Sequence, residues 1–237
     1  SSRTSQYKIR SPATPNRSTL PILSHILLET KKDALQLAGT DLELGITCSV
    51  PAQVVEEGAI TVPAKRFADL VRELPNNSTL QLSTKKNQQI SIECEHGLFK
   101  IMGLPKEEFP RLPHVENQET LVISQEVLQT MLGLTGFAAS RDESRYVLTG
   151  VLFIFKGGSL RLVATDGRRL ALIDREVMTD SKGNHEVIVP LKAISELHRL
   201  LGEGPTAKIS WKENQVAFDL GNTQVISRLI DGRFPNY

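Results

Sequence analysis

Cysteine is scarce in this sequence, and so are the long apolar runs that would direct a chain into a membrane. Only Cys48 and Cys94 occur among the 237 residues, without CxxC or histidine-containing metal spacing. This excludes a disulfide framework, and we expect two reduced core cysteines, as is typical of the cytosol. No apolar run approaches the roughly 18–20 residues of a membrane helix, and no signal peptide with an apolar core is found. We therefore expect a cytoplasmic protein that has no membrane partner.

A large net charge is also lacking, because 28 basic residues balance 27 acidic ones and leave a charge of +1. This excludes a histone-like polycation but allows a basic face opposite an acidic one. The P-loop, GxGxxG and GxSxG motifs are missing, and the five histidines lack HxxxH or HExxH spacing. Asp41 and Glu43 would share one side of a strand, but a two-metal nuclease needs more converging carboxylates. We expect no catalytic residues, no metal and no cofactor.

What the sequence does contain is a long internal repeat. AGTDLELGI at 38–46 resembles VATDGRRLALI at 163–173, TVPAKRFADLVRELP at 61–75 resembles IVPLKAISELHRLL at 188–201, and EFPRLP at 108–113 resembles RFPNY at 233–237. The matching pairs Thr40 and Thr165, Val62 and Val189, and Phe109 and Phe234 lie 125, 127 and 125 residues apart. This period is too long for a solenoid, so each copy should form a small domain.

Hydrophobic periodicity predicts an α+β layout for each copy, with short antiparallel strands and one or two helices lying on a sheet. Strands are predicted at residues 34–38, 45–50, 59–62, 79–83, 89–94, 98–102, 120–123, 151–155, 160–164, 170–174, 186–189, 207–211 and 215–220. Helices are predicted at residues 64–74, 124–137 and 191–201. Ser124 is the expected N-cap of the second helix, and His198 of the third is expected to pack in the core.

The two copies differ at their beginnings. The strand and helix that open the second copy would correspond to residues 1–12, where no periodicity or helix cap is found. Residues 1–18 are basic and irregular, which is typical of a disordered leader, an organelle transit segment or a loop that contacts phosphate. We expect this leader, a first domain at 19–117 without its opening strand and helix, and a second domain at 118–237. We also expect the chain to be a piece of a longer protein.

Two helices carry the same charge pattern opposite their apolar faces. Lys65, Asp69 and Arg72 of the first match Lys192, Glu196 and Arg199 of the second in offset and sign. Side chains at i, i+4 and i+7 lie along one stripe of a helix. The lysines and arginines could contact phosphates without reading bases, which makes them candidate DNA-binding residues. The alternative is a solvated helix face with weak ion pairs.

A second candidate site lies at residues 163–170. Asp166-Gly167 between alternating stretches predicts a tight type I′ hairpin, in which both central residues have positive φ. This hairpin carries Arg168 and Arg169 beside Leu170, and Leu148 and Pro235 belong to the same copy. An apolar pocket edged by backbone groups and arginines would suit a short peptide. The alternative is an ordinary exposed turn.

Several of these stretches resemble the bacterial DNA polymerase III beta subunit family, the sliding clamps. They are STLPILSHILL at 18–28, LAGTDLEL at 37–44, residues 61–75, RYVLTGVLF at 145–153, LVATDGRRLAL at 162–172, residues 187–190 and LIDGRFPNY at 229–237. ATDGxRLA followed by DGRFPxY is specific to this family, and the resemblance covers residues 17–237.

The resemblance implies tandem DNA-clamp domains, with antiparallel sheets outside and helices on the inner face. Family subunits have three such domains, and two subunits close into a ring around double-stranded DNA. They are processivity factors rather than enzymes, and they tether DNA polymerase III, other polymerases and repair factors through a hydrophobic peptide-docking pocket. A clamp loader and a homodimer partner are also implied, as is a cytoplasmic, nucleoid-associated location.

The resemblance also assigns individual residues. One wall of the peptide-docking pocket is implied for Leu148, Thr165, Gly167, Arg168, Arg169, Leu170 and Pro235. DNA-facing positions are implied for Arg17, Lys65, Arg72, Arg141, Arg145, Tyr146 and Lys192. A ring that holds DNA by topology needs only weak, sequence-independent contacts, in keeping with the low net charge.

The chain departs from the family in ways that affect these expectations. In the family the pocket also uses the third domain and the segment just past Tyr237, and neither occurs in the sequence. The subunit contact there joins the first domain to a partner's third, so this chain should not close a ring by itself. Arg168 replaces a histidine of some relatives and would keep the rim charged at every pH. A protein-interaction scaffold without a DNA role, and a hydrolase or nuclease, are the alternative functions.

Overall fold

The structure is a computed structural model that describes residues 20–75, 78–95, 97–112, 120–179, 183–202 and 204–237. The chain separates into two compact units, Ser1–Leu112 and Pro113–Tyr237. The proposed leader at 1–18, the position where the opening strand and helix are expected to be missing, and the polar stretch 114–119 at the expected domain boundary all lie outside the described residues.

The first unit contains a four-stranded antiparallel sheet, a helix and a three-stranded meander. The sheet order is β3-β2-β1-β4 and the meander order is β5-β6-β7. The elements are a 3-10 turn at Pro21–Ser24, β1 (His25–Lys31), β2 (Ala34–Thr40), β3 (Leu44–Pro51), β4 (Ala59–Pro63), α1 (Ala64–Glu73), β5 (Gln81–Lys85), β6 (Gln89–Cys94), β7 (Gly97–Met102) and a 3-10 turn at Lys106–Glu108.

The second unit repeats this frame, and its described part begins with a further strand and helix. One sheet has the order β11-β10-β9-β13, and the other contains the run β12-β8-β14-β15-β16. The elements are β8 (Thr120–Ser124), α2 (Gln125–Thr135), 3-10 segments at Gly136–Ala138 and Glu143–Thr149, β9 (Gly150–Lys156), β10 (Ser159–Thr165), β11 (Leu170–Glu176), β12 (Met178–Thr179), β13 (His185–Pro190), α3 (Leu191–Leu200), β14 (Thr206–Lys212), β15 (Gln215–Asp219) and β16 (Thr223–Arg228).

Strand register shows that the sequence repeat is a structural repeat. In the first unit β1 pairs with β4 so that His25 faces Pro63, and in the second β9 pairs with β13 so that Gly150 faces Pro190. Each proline is the N-cap of the helix that follows, because its fixed φ suits a helix start. The predicted α+β class with tandem units is therefore confirmed.

The helices bury the apolar stripes that their sequences predict. In α1, Phe67 is buried with Ile26, Val62 and Ile90 of the first unit, and Leu70 is partly buried against them. In α2 and α3 the residues at the predicted spacing, including Leu128, Leu132, Ile194 and Leu197, are buried. Removing this apolar surface from water is the main source of each unit's stability. Cys48 and Cys94 are free but only half-buried, so the prediction that both are core residues was wrong.

The buried side chain of Gln125 joins the first turn of α2 to two other parts of the second unit. Its Nε2 donates to the carbonyls of Thr206 (3.0 Å) and Leu220 (3.2 Å). Its Oε1 accepts from the amides of Gly202 (3.1 Å) and Gly204 (3.2 Å). Both polar ends of the amide are therefore satisfied, although the residue is only 1% exposed.

We predict that Gln125→Leu lowers the free energy of unfolding of the second unit by about 2–4 kcal/mol, since it leaves buried carbonyl and amide groups unpaired. Urea unfolding followed by Trp211 fluorescence measures this, because Trp211 is the single tryptophan and stacks on Phe155 in the second unit. The control is Gln129→Leu, where the half-buried Gln129 donates to backbone carbonyls near the surface. Equal losses in the two variants would contradict the prediction.

Candidate docking turn and basic helix faces

The turn between β10 and β11, residues 165–170, is fixed by the side chains of its first two residues. The hydroxyl of Thr165 donates to the carbonyl of Arg169 (2.6 Å) and accepts from the amide of Gly167 (3.0 Å). The carboxylate of Asp166 accepts from the amides of Arg168 (2.9 Å) and Arg169 (3.0 Å). These two backbone hydrogen bonds are the main reason why the pKa of Asp166 is lowered from its usual value.

The type I′ prediction for this turn was wrong. Gly167 has a φ of +83°, whereas Asp166 is not among the residues of positive φ. Thr165 and Leu170 are the pair that closes the turn, so four residues rather than two lie between the paired positions. Asp166 keeps an ordinary φ because its carboxylate caps the two amides that follow, as aspartate does in Asx turns.

The turn between β2 and β3, residues 40–45, has the same construction in the first unit. Thr40 donates to the carbonyl of Leu44 (2.9 Å) and accepts from the amide of Leu42 (3.0 Å). Asp41 accepts from the amides of Glu43 (3.0 Å) and Leu44 (2.7 Å). The difference lies in the side chains that the turns present, since Leu42 and Glu43 stand where the second unit has Gly167 and Arg168.

A buried core cluster, named the apolar wall, includes Val163 of the strand β10 that leads into turn 165–170. It is formed by the buried residues Leu152, Val163, Ile188, Ile230 and Phe234, and Val147 and Leu148 pack against it. Thr165 is buried at the end of β10, whereas Leu170 is 48% exposed at the start of β11. Pro235 is exposed and follows the buried Phe234. Leu148 therefore packs on this wall, and Val163 of the wall lies two residues before Thr165 in β10.

Sequence reasoning missed Leu172 in this region. Leu172 pairs with Val163 across the sheet, so it lies on the same side as Leu170 and the apolar wall. It is 41% exposed, although it is large and apolar. The two-residue spacing from Leu170 is the signal that could have found it. Leu170 and Leu172 together extend the apolar surface along β11.

The two arginines of the turn have different surroundings. Arg169 donates from Nε to the Asp166 carboxylate (3.1 Å), and its guanidinium lies 5.7 Å from the centre of the Phe137 ring. A cation over an aromatic ring is attracted by the ring's electron density. Arg168 is exposed and supplies positive charge at the rim.

Arg145 also reaches this turn, although the resemblance implies a DNA-facing role for it. Its Nη1 donates to the carbonyl of Asp166 (2.7 Å), and its Nε lies 3.9 Å from the Asp142 carboxylate. Arg141 and Tyr146, two further DNA-facing candidates, are exposed on the same stretch of chain. Arg17 lies outside the described residues.

The charged faces of α1 and α3 repeat each other in detail. Arg72 pairs with Asp69 at 3.0 Å, and Arg199 pairs with Glu196. Lys65 and Lys192 are exposed one turn earlier on their helices. Each stripe therefore contains a lysine, an arginine and one acidic residue, so the formal charge of the three side chains is +1.

Comparisons with known proteins agree with this repeat. The sequence model of the DNA polymerase III beta subunit N-terminal domain matches residues 10–113, and that of the central domain matches residues 122–236. The chain belongs to the DNA polymerase III beta subunit family. The resemblance described from the sequence is thereby confirmed.

Curated relatives of this family include a beta sliding clamp of Chlamydia pneumoniae, which is 39% identical over 223 residues. That match covers 94% of this chain and 61% of the relative. A beta sliding clamp of Staphylococcus epidermidis is 35% identical and is matched over 93% of this chain and 60% of its own length. The chain thus spans about 61% of the length of the Chlamydia relative.

Solved structures of the family show the same fold. The subunit from Pseudomonas aeruginosa has a TM-score of 0.89 and 35% identity, with 94% of this chain and 62% of that chain covered. The Bacillus subtilis clamp has a TM-score of 0.89 and 29% identity, with 94% and 61% covered. A further Pseudomonas structure, at 35% identity and a TM-score of 0.89, is described as bound to griselimycin; 94% of this chain and 61% of that chain are covered.

Within the described ranges, no group of three or more His, Cys, Asp or Glu could hold a metal ion. No helix in that part of the chain is long and apolar enough to cross a membrane. His198 is exposed, so the prediction that it packs in the core was wrong. Its position on α3 is one residue beyond the buried Leu197, which turns its side chain away from the core.

Leu42 provides a test of how turn 40–45 is built. It has a φ of +78°, which is strained for a residue with a Cβ. Its side chain is 46% exposed, so burial offsets only part of this strain. We predict that Leu42→Gly raises the free energy of unfolding of the first unit by about 0.5–1 kcal/mol, because relief of strain exceeds the entropic cost of glycine.

Far-ultraviolet circular dichroism during urea unfolding measures this change, and Trp211 fluorescence reports the second unit separately. The reciprocal control is Gly167→Ala in the matching turn. It should be destabilising, since an added Cβ at φ +83° would lie 3.0 Å from Nη1 of Arg145. A less stable Leu42→Gly variant would contradict this account of the turn.

Proposed function

We propose that this chain forms two domains of a DNA sliding clamp, a processivity factor that encircles duplex DNA and tethers polymerases to it. The observation that carries the proposal is the repeated basic stripe on α1 and α3 in a chain of the beta-subunit family. A stripe with a lysine and an arginine in each unit suits contacts with phosphates that are independent of base sequence. A protein that slides needs contacts of this weak, sequence-independent kind.

We propose that the DNA-facing set comprises Lys65, Arg72, Arg141, Tyr146, Lys192 and Arg199, together with Arg17. The ion pairs Asp69–Arg72 and Glu196–Arg199 lower the net charge of each stripe. They are exposed pairs of small energy, so phosphate oxygens could compete with the carboxylates for the arginines. The same ion pairs favour the alternative function, a protein-interaction scaffold whose charged helix faces contact only solvent. Charge reversal on these helices separates the scaffold from the clamp.

We propose further that Leu148, Thr165, Gly167, Arg168, Arg169, Leu170 and Pro235 form one wall of a pocket that takes short hydrophobic peptide motifs. The apolar wall, the exposed Leu170 and the cationic rim support this proposal. The partners proposed are DNA polymerase III, other polymerases, the clamp loader and repair factors. The whole protein would act as a homodimeric ring on the cytoplasmic chromosome, without catalysing a reaction itself.

The DNA proposal predicts the effect of charge reversal on the stripes. Lys65→Glu, Arg72→Glu and Lys192→Glu in one protein should weaken association with a short labelled duplex at low salt. Each lost phosphate contact reduces the magnitude of the slope of log K against log salt by about 0.9. The magnitude of this slope should therefore decrease by up to about 3. Fluorescence anisotropy over a series of salt concentrations measures both quantities.

The matched control reverses Lys86, Lys100 and Lys156, which are exposed on turns and strands and change the net charge equally. The control should alter the slope far less, because its lysines lie on neither helix. If the two triple variants behave alike, or if neither alters DNA association, the helix faces are solvated surfaces and the scaffold function gains support.

The docking proposal predicts that Leu170→Asp abolishes binding of griselimycin and of a short peptide containing leucine and phenylalanine. A carboxylate buried in an apolar pocket without a partner should weaken binding by roughly 100-fold or more. Isothermal titration calorimetry measures the affinity. The control is Leu42→Asp, which changes an exposed leucine in turn 40–45 of the first unit. Wild-type affinity in Leu170→Asp would exclude this wall as the docking site.

A further inference from the structure

Arg145 differs from Arg72 and Arg199, two other candidate DNA-facing arginines, in what its guanidinium contacts. Its Nη1 donates to the main-chain carbonyl of Asp166 at 2.7 Å. A Cβ placed on Gly167 would lie 3.0 Å from the same nitrogen, so the guanidinium lies directly against the turn at its left-handed residue. Arg72 and Arg199 are paired with carboxylates on their own helices, whereas Arg145 combines its carbonyl contact with a longer approach of Nε to the Asp142 carboxylate, at 3.9 Å.

The contact links two parts of the proposed docking wall. Arg145 lies in the 3-10 segment Glu143–Thr149, where its φ of −101° and ψ of 52° interrupt the helix. The same segment carries Leu148, which packs on the apolar wall, and the carbonyl of Leu148 accepts from the amide of Ser140 (2.8 Å). One side chain therefore connects the segment that bears Leu148 to the turn that bears Leu170.

The internal repeat shows that the turn does not require this arginine in order to form. Turn 40–45 makes the same threonine and aspartate hydrogen bonds as turn 165–170. The residue 125 positions before Arg145 is Leu20, whose side chain has no hydrogen-bond donor. The arginine contact is thus an addition to the common frame, and it occurs in the unit that carries the docking residues.

We propose that Arg145 is a positioning residue of the docking pocket, which holds turn 165–170 in its binding geometry through the Asp166 carbonyl, rather than a phosphate contact. The role of Arg145 in peptide affinity rests on the proposed docking function, whereas its effect on the order of the turn does not. Fixing the turn before a peptide arrives would reduce the entropy lost on binding, so affinity should depend on it.

The test uses Arg145→Met, which keeps side-chain length but removes every donor, and measures hydrogen exchange of residues 163–170. Loss of a charge-assisted hydrogen bond should speed exchange of the Gly167, Arg168 and Arg169 amides by roughly tenfold or more. Residues 38–45 provide an internal control whose exchange should not change. The Trp211-monitored unfolding midpoint should also stay near that of wild type, which separates positioning from general destabilisation.

The matched control is Arg175→Met, because Arg175 also donates from Nη1 to an aspartate carbonyl at 2.7 Å, that of Asp174, but lies on β11 outside the turn. It should leave exchange of the turn unchanged. Griselimycin affinity should fall roughly tenfold in Arg145→Met, and Arg145→Lys should recover it to within about threefold by restoring one donor.

Unchanged exchange of residues 163–170 in Arg145→Met would overturn the inference, and a reduced salt slope of DNA association would then assign Arg145 to the phosphate-contacting set. Failure of the proposed docking function gives a different result. In that case wild type itself would not bind griselimycin, while the exchange measurement would still decide whether Arg145 holds the turn.

Discussion

The candidate site depends on one electrostatic interaction, in which the carboxylate of Asp166 accepts hydrogen bonds from two backbone amides. This interaction fixes where β10 ends and β11 begins, and so sets the direction in which Leu170 leaves the sheet. The hydroxyl of Thr165 completes the turn by bonding across it. Because the bonds are local, the turn is formed by its own residues, and the surrounding unit only adds to its order. Turn 40–45 shows the same physics with different exposed side chains.

Much of the frame could be predicted from the sequence, because the helices bury a single apolar stripe. The helices α1 and α3 begin at the residues that periodicity indicates and end within one residue of the prediction. The strands predicted from strict alternation of apolar and polar residues are also present in the structure. The strand β1 was missed because Ile26, Leu27 and Leu28 are consecutive apolar residues, which give no period of two. The strand β16 was missed because Thr223–Arg228 mixes polar and buried residues without a clear period.

The site was less predictable, since it depends on contacts between distant residues. The repeat and the family resemblance identify turn 165–170, but they do not reveal which atoms hold it. The bond between Arg145 and the Asp166 carbonyl joins positions 21 residues apart and follows from the interruption in a 3-10 segment. The exposure of His198 likewise depends on the packed backbone. The type I′ prediction failed for a local reason, because the side chains of Thr165 and Asp166 cap the turn, which then needs a positive φ only at Gly167.

We propose that the whole protein acts on DNA by enclosing it, and topology tests this proposal most directly. The full-length protein is loaded by a clamp loader onto nicked circular DNA, washed in high salt, and followed when the circle is cut. The account predicts retention on the circle and loss from the linear product, because salt removes electrostatic contacts but cannot open a closed ring. Loss from both forms in high salt would contradict it, since the association would then be electrostatic only.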